Sequence, residues 1–480
     1  MMEMMLTPRR QNRSGVDILN QKKFHMPTAY TILFLLLILV AAATWIIPAG
    51  SYDYVDGVPV AGTYHTVEQN PQGVGDVLKA AFSGFYDAVD VCIFILMVGG
   101  FLGVVMKTGA VDAGVGNVIR LLGGREKWLI PILMLLFGLG GTTYGMWEET
   151  MAFYPLLIPV FLAAGYDAVV GISVILLGAG AGVIASTVNP FATGIAAGFA
   201  GVSLGEGIVL RLLEWVAFEA AAIWFVMAYA AKVKKNPSKS VVGVGAGKIQ
   251  VSMDQQVPFT AKRKVIMALF TLTFLIMVYA VVPFDEMGLP LPTLGWWFPE
   301  LSALFLVAGV VIGLIDRMSE EELVEIYVAG CADLLGVAFI IGISRGITVL
   351  MNDGAITDTV LHWGEQALSG AGAISFTLLV FALYLPLTIL IPSSSGLATL
   401  SIPIVAPLGK FAGVGGDLVV TAFQSASGLV NIITPTAAVV MGALALGHVP
   451  YDRWVKYVWK LILWFLLLAL AFLVAGVLLG

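Results

Sequence analysis

Uncharged apolar stretches alternate with short charged segments along almost the whole chain. Met26 to Tyr52 contains no Asp, Glu, Lys or Arg. A bilayer crossing needs roughly 20 largely apolar residues, so the pattern predicts a first span there. It is too long for a signal-peptide core of about 7–15 residues and is read as retained. Similar stretches follow at Val91–Met106, Trp128–Trp147, Met151–Tyr166, Ala168–Gly205, Ala220–Ala231, Val265–Phe284, Leu301–Ile315, Gln366–Gly409, Leu418–Gly447 and Leu461–Gly480. Together they predict an all-α polytopic membrane protein, with the lipid bilayer as its main solvent.

The charges between these stretches set the expected orientation. Arg9, Arg10, Arg13, Lys22 and Lys23 precede the first span, and segment 232–264 carries Lys232, Lys234, Lys235, Lys239, Lys248, Lys262, Arg263 and Lys264. The positive-inside rule places both on the cytoplasmic side. Loops 53–76 and 285–300 hold Asp and Glu but no Lys or Arg and are expected outside. The expected organisation is a cytoplasmic tail 1–25, a first half 26–231, a cytoplasmic linker 232–264 and a second half 265–480. The N-terminus would be cytoplasmic and the C-terminus external, across a cell inner (cytoplasmic) membrane.

The halves echo each other. KTGA at 107–110 returns as NDGA at 352–355, Ile158-Pro159 as Ile402-Pro403, Asn189 as Asn431, Asp90 as Asp333 and Arg211 as Arg453, at offsets of 245, 244, 242, 243 and 242. Five matches at nearly constant offset predict an internal repeat. The helix ending near Lys107 starts from the outer loop, whereas its counterpart starts near Arg317 to Glu325 on the inner side. The copies are therefore expected to run in opposite directions. Inverted repeats are a signature of secondary transporters, which bind substrate where the repeats meet near the bilayer midplane.

Four interruptions fall in two matched pairs. GLGGTTYGMWEETMAFYPLLIP (138–159) and LYLPLTILIPSSSGLATLSIP (383–403) read as re-entrant helical hairpins, with tips at Glu148-Glu149 and Ser393-Ser394-Ser395. Gly138, Gly140, Gly141 and Gly145 are expected to loosen the first. Pro386 and Pro392 are expected to break the second, whose limb from Leu397 to Leu408 looks too short to span. STVNPFATG (186–194) and SGLVNIITPTA (427–437) read as broken helices, because Pro removes a backbone donor and clashes with the preceding turn. Half-helix N-termini offer free N–H groups to an anion. Freed carbonyls, hydroxyls and Asn oxygens offer hard ligands to a sodium ion. The bland alternative is that small residues simply let helices pack closely in lipid.

Ionisable groups at membrane depth are costly and by default functional. Glu148 and Glu149 could bind a substrate ammonium or guanidinium, or carry a coupling proton. Alternatively the tip reaches water, or one Glu pairs with Arg345. Serines replace them in the second hairpin, a lopsidedness that suits an amino acid better than a plain dicarboxylate. Asp90 and Asp333 read as structural pins.

Composition narrows the classes. Of 480 residues, 59% are hydrophobic and 12% charged, about half the charge of a soluble domain. Two cysteines exclude a disulfide framework. Without HExxH, CxxC or GxxxxGK[ST], no tightly bound metal, no cofactor and no direct use of ATP are expected. A coupling Na+ or H+ remains open. No His lies at membrane depth to serve a hydrolase, so no enzymatic activity is expected; a channel is the remaining alternative. No nucleic-acid partner is expected.

On GMWEETMAFYPLLIP, STVNPFATG, SSSG and NIITPT, residues 26–480 resemble the ion transporter superfamily, in its anaerobic C4-dicarboxylate carrier and basic amino-acid antiporter branch. The resemblance implies a homodimer, each protomer with a scaffold domain and a mobile transport domain of two hairpins and two broken helices, working as an elevator. It implies a substrate site at Gly145, Glu148, Glu149, Thr150, Asn189, Thr193, Ser393, Ser394, Ser395, Asn431, Thr434 and Thr436. Glu148, Glu149, Asn189 and Asn431 are the coupling-ion candidates. Both tips lack the Ser-Asn-Thr signature of sodium-coupled dicarboxylate members. The expected function is secondary transport of a small charged metabolite, foremost an amino acid, with arginine–ornithine exchange as one form and carriage of C4-dicarboxylates or other organic anions as the alternative.

Overall fold

The computed structural model describes residues 29–479, apart from positions 112, 115–116, 118–124, 144, 204, 244–257, 282–283 and 285–289. The expected tail 1–25 and much of the linker lie outside the described residues. The first half contains α1 (Ala29–Ala43), α2 (Val74–Asp87), α3 (Val89–Lys107), α4 (Leu129–Thr143), α5 (Tyr154–Ala163), α6 (Ala168–Ile184), α7 (Ile195–Ala200) and α8 (Ile208–Lys235). The second contains α9 (Ala261–Val281), α10 (Phe298–Asp316), α11 (Glu320–Asp353), α12 (Thr357–Leu368), α13 (Ala373–Leu390), α14 (Ser394–Ala412), α15 (Gly416–Asn431), α16 (Ala438–Leu446) and α17 (Tyr451–Leu479). Among the described residues, α3, α10, α11, α13, α14 and α17 are long and apolar enough to cross a membrane. The chain is a multi-pass membrane protein.

Helix starts follow local chemistry. Asp167 caps α6 by accepting from the Val170 N–H at 3.0 Å. Ser319 caps α11 by accepting from Glu322 N–H at 3.2 Å, with Glu320, Glu321 and Glu322 in its first turn. Such caps satisfy orphan donors, and the acidic turn complements the helix dipole. Lys232, Lys234 and Lys235 close α8 in the complementary sense.

Three expectations need correction. The first apolar run is not one helix to Tyr52: α1 stops at Ala43, and the chain passes into two short antiparallel ribbons, β1 (Gly50–Ser51) with β4 (His65–Thr66) and β2 (Tyr54–Val55) with β3 (Val58–Pro59). That stretch is tied to α12 instead. Asp358 accepts from the Tyr52 N–H at 3.0 Å and the Tyr54 hydroxyl at 2.7 Å, and Tyr52 donates to Glu365 at 2.8 Å. Second, Pro386 lies inside α13, and the break comes at Ile391-Pro392. Third, the limb after the serines is not short, since α14 runs for 19 residues through Pro403 and Pro407.

The helices form two packed groups. In one, α11 packs along α2 and α3, with α10 and α1 alongside. Helices α2 and α3, separated only by Ala88, span 74–107, and α11 spans an equal length, 320–353, in the other half. Gly99 and Gly330 meet so closely that a Cβ on either would come 2.5 or 2.4 Å from the other's carbonyl oxygen. In the second group, α4, α5, α6 and α8 pack with one another and, through α15, with α13, α14 and α17. A Cβ at Gly182 would lie 2.2 Å from the Gly138 oxygen. Gly141 likewise serves close packing of α4 on α6, with a Cβ there 2.3 Å from the Ala179 oxygen, and Gly138 makes room for Glu219 on α8.

Candidate functional site

Both kinds of interruption are present as breaks in the backbone. Helix α4 ends at Thr143, Gly145 turns the chain at φ +79°, and a tight turn of helix at Glu148–Phe153 leads into α5. Only glycine takes that φ without penalty. Any side chain there would also meet Asn189, since a Cβ would lie 2.5 Å from its Oδ1. On α6 the helix stops at Ile184 and resumes after a wide turn at Pro190–Gly194. The loosened ends hold each other: the Thr142 carbonyl accepts from Thr187 N–H at 2.8 Å and Val188 N–H at 3.2 Å, and the Thr142 hydroxyl donates to Ala185 O at 2.8 Å. Backbone groups freed inside a membrane protein must find such partners.

The second half does the same with different residues. Ser393 caps α14, accepting from Gly396 N–H at 3.2 Å. Between α15 and α16, the Ile432 carbonyl accepts from Trp454 Nε1–H at 3.1 Å and Ile433 O from the Tyr451 hydroxyl at 2.7 Å. Aromatic donors on α17 thus hold the broken segment open.

All four breaks converge on one cavity of about 200 Å³ where the two helix groups meet. Gly145, Glu148, Glu149, Asn189, Ser393, Ser394, Ser395, Asn431 and Thr436 line it together with Asp87, Asp90, Trp147, Trp297, Ser344 and Arg345. The expected set therefore gathers, with three exceptions. Thr150 is buried and donates to the Trp147 carbonyl. Thr434 is buried and shares a 2.9 Å hydrogen bond with the Thr436 hydroxyl. Thr193 is wholly buried within its turn. Thr150 and Thr434 serve local hydrogen bonds, the Thr193 hydroxyl has no partner among the described residues, and none of the three lines the cavity.

The lining is electrostatically divided. Carboxylates come from the first half: Asp87, Asp90, Glu148 and Glu149. Among the described residues Arg345 forms an ion pair with Asp87 at 3.8 Å, and its charge also acts on Glu148. Glu149 is 5% exposed, and its Oε2 accepts from Trp147 N–H at 3.1 Å, which aims the side chain. Asp90 Oδ1 accepts from the Val91 N–H at 2.8 Å, just after the break at Ala88 that turns Asp87 and Asp90 to the cavity. Asp333, its counterpart by sequence offset, sits on an exposed face in mid-α11 and takes no part. The second half supplies the hydroxyls of Ser344, Ser393, Ser394, Ser395 and Thr436 and the N-terminal ends of α14 and α16, whose first residues face the space. One side suits a cation, the other a carboxylate. The side-chain and amide oxygens could also hold Na+. Among the described residues no cluster of His, Cys, Asp and Glu could hold a metal ion.

Sequence reading overlooked two carboxyls away from the cavity. Glu214 on α8 is fully buried and accepts from the Ser425 hydroxyl at 2.8 Å. Glu219 is 2% exposed, packs against Gly138 and has no hydrogen-bond partner among the described residues. The signal was available: charges used to end an apolar run at Ala220 belong to one continuous 28-residue helix.

A 35%-identical uncharacterized protein of Haemophilus influenzae strain Rd aligns over 95% of this chain and 98% of its own length. A protein of Escherichia coli K12 named "Putative basic amino acid antiporter YfcC" is 30% identical over 91% and 93%. The crystal structure of the Alcanivorax borkumensis YdaH transporter aligns over 94% of this chain and 98% of that one, with 14% identity and a TM-score of 0.44. The family model for the C4-dicarboxylate anaerobic carrier (DcuC) matches residues 26–478. The chain belongs to the C4-dicarboxylate anaerobic carrier family.

Proposed function

We propose that this carrier transports a basic amino acid, by exchange or by coupling to Na+ or H+. The carrying observation is the divided cavity. With Asp87 ion-paired to Arg345, three carboxylates remain on one wall, Glu148 among them within reach of the same cation's field, against hydroxyls and helix N-termini on the other. A basic amino acid presents a matching pair of ends, with one cation in excess. A dicarboxylate would meet the three carboxylates directly. At about 200 Å³ the space suits one small metabolite, below the range of about 300–1,000 Å³ typical of drug-sized ligands. The name of the Escherichia coli relative agrees with this reading.

The mechanism proposed is an elevator. The group built on α4–α8 and α13–α17 would carry the substrate past the scaffold of α1–α3 and α9–α11. The two interrupted segments at 138–159 and 383–403 would act as re-entrant hairpins, and the two halves as inverted repeats. We further place the protein in the inner membrane as a homodimer, N-terminus inside and C-terminus outside. A C4-dicarboxylate remains the second reading, favoured by Arg345 beside the serine tip and by the family description. Counterflow in proteoliposomes decides between them. Labelled arginine should enter against internal unlabelled ornithine and saturate. Uptake of labelled succinate without uptake of arginine would overturn the proposal, and flux that neither saturates nor shows counterflow would indicate a channel.

A further inference from the structure

A second concavity lies on the outer face of the α8–α17 pair, away from the central cavity. Its volume is about 610 Å³. The two helices run antiparallel: Tyr229 meets Tyr457 with ring centroids 4.6 Å apart, and Phe218 meets Phe465 at 4.7 Å. This arrangement sets Lys232, near the end of α8, level with Lys456 near the start of α17. Lys460 lies one turn further along, still on the lining. The rest of the groove is apolar, with Trp224 and Trp464 flanking it at 6.4 Å and more than half exposed. From Lys456 to Trp464 is eight residues, or about 12 Å of helix.

Among the described residues the three lysines meet no counter-charge, although Lys460 lies over the Trp459 ring at 5.6 Å. Among the described residues none forms an ion pair and no carboxylate lines the groove. Neighbouring cations are paired: Lys234 with Glu126 at 3.1 Å and Arg453 with Asp452 at 3.5 Å. Lysines at the end of a membrane helix are ordinary snorkelling groups. Lys460 is different, because it stands well inside α17 and shares a face with Lys456. Like charges four residues apart destabilise a helix unless something offsets them. The missing partner must be an anion, and the apolar, Trp-flanked trough below it calls for hydrocarbon attached to that anion.

We propose that this groove binds one anionic phospholipid. Its phosphate lies between Lys232, Lys456 and Lys460, and its acyl chains run along Phe225, Leu461 and Trp464. Basic pockets between transmembrane helices on the inner side of a membrane are suited to such headgroups. The site is independent of the transported substrate.

The test is native mass spectrometry of the purified full-length protein, equilibrated with phosphatidylglycerol or with phosphatidylcholine of the same chains. The wild type should retain phosphatidylglycerol preferentially. Lys232→Ala, Lys456→Ala and Lys460→Ala should each lower that retention about fivefold, the factor corresponding to roughly 1 kcal/mol per lysine. Phosphatidylcholine binding should not change. Lys235→Ala with Lys239→Ala removes two nearby charges outside the groove and should have no effect. Trp464→Ala should weaken retention with all three lysines in place, and millimolar inorganic phosphate should not displace the lipid. Equal retention of the two lipids, or equal loss in the Lys235/Lys239 control, would overturn the proposal. Displacement by inorganic phosphate would assign the lysines to a free anion and overturn it too.

Discussion

Replacing Glu148 or Glu149 by Gln keeps the shape of the cavity wall and removes one negative charge. Two opposite charges 4 Å apart attract by about 4 kcal/mol at an effective dielectric of 20. The amide retains part of the contact, so the expected loss is that of a charged hydrogen bond, about 1.5–3 kcal/mol. That corresponds to roughly 10–150-fold weaker binding of a cationic ligand. Glu149→Gln should still accept from the Trp147 N–H, since one amide oxygen suffices for the 3.1 Å bond. The unliganded fold should therefore persist. Thermal unfolding of purified protein with and without arginine reads the effect. At 100 times its Kd a ligand stabilises the wild type by about 2.7 kcal/mol, and a thirtyfold weaker site leaves about 0.9 kcal/mol at the same concentration. Succinate should be unaffected or bound better, because like-charge repulsion has been relieved. If both variants keep the full arginine shift, or if succinate stabilises the wild type and arginine does not, the charge argument is wrong.

Gly145→Ala forces a side chain into positive φ and against Asn189; it should cost about 1–3 kcal/mol and abolish ligand-induced stabilisation, read by the same unfolding assay. Gly330→Val pushes α11 off α3, where a Cβ already lies 2.4 Å from the Gly99 oxygen. It should destabilise by about 1–3 kcal/mol or more and lower the yield of folded protein in size-exclusion chromatography. Burial and the carboxylates of Glu365 and Asp358 hold the Tyr52 and Tyr54 hydroxyls above the ordinary value of 10.0. Each keeps its proton more firmly folded than unfolded, so their contribution is present below pH 10.0 and fades as pH rises beyond it. Tyr52→Phe should lower stability by about 1–3 kcal/mol at neutral pH and flatten the alkaline limb of a stability-against-pH curve; an unchanged limb would remove the ribbon–α12 clasp from the account.

Much of the architecture was legible because lipid is a simple solvent. Runs without charge, such as 461–479 and 91–106, become helices of the expected kind, α17 and α3. The breaks at Gly145, at Asn189-Pro190 and after Asn431 fall where Gly, Pro and small polar residues interrupt those runs. Proline was a poorer guide than its neighbours: Pro386, Pro403 and Pro407 stay inside helices, whereas Pro392 marks a break beside a serine cap. A missing donor can be tolerated in a packed helix, but a competing cap gives the backbone an alternative.

Hydropathy and spacing by themselves settled that this chain lies in a bilayer and that polar breaks sit inside apolar runs. They could not say which polar residues share a space. Asp90 and Asp333 look equivalent by offset, yet only Asp90 faces the cavity, because Ala88 breaks the first helix while α11 runs on unbroken. Arg345 forms its ion pair with Asp87 while its charge still acts on Glu148, a choice between carboxylates far apart in sequence. Local composition decides where a segment sits relative to water. Which distant side chains meet, and which charges remain uncompensated, depends on how whole helices pack, and only the tertiary structure holds that information.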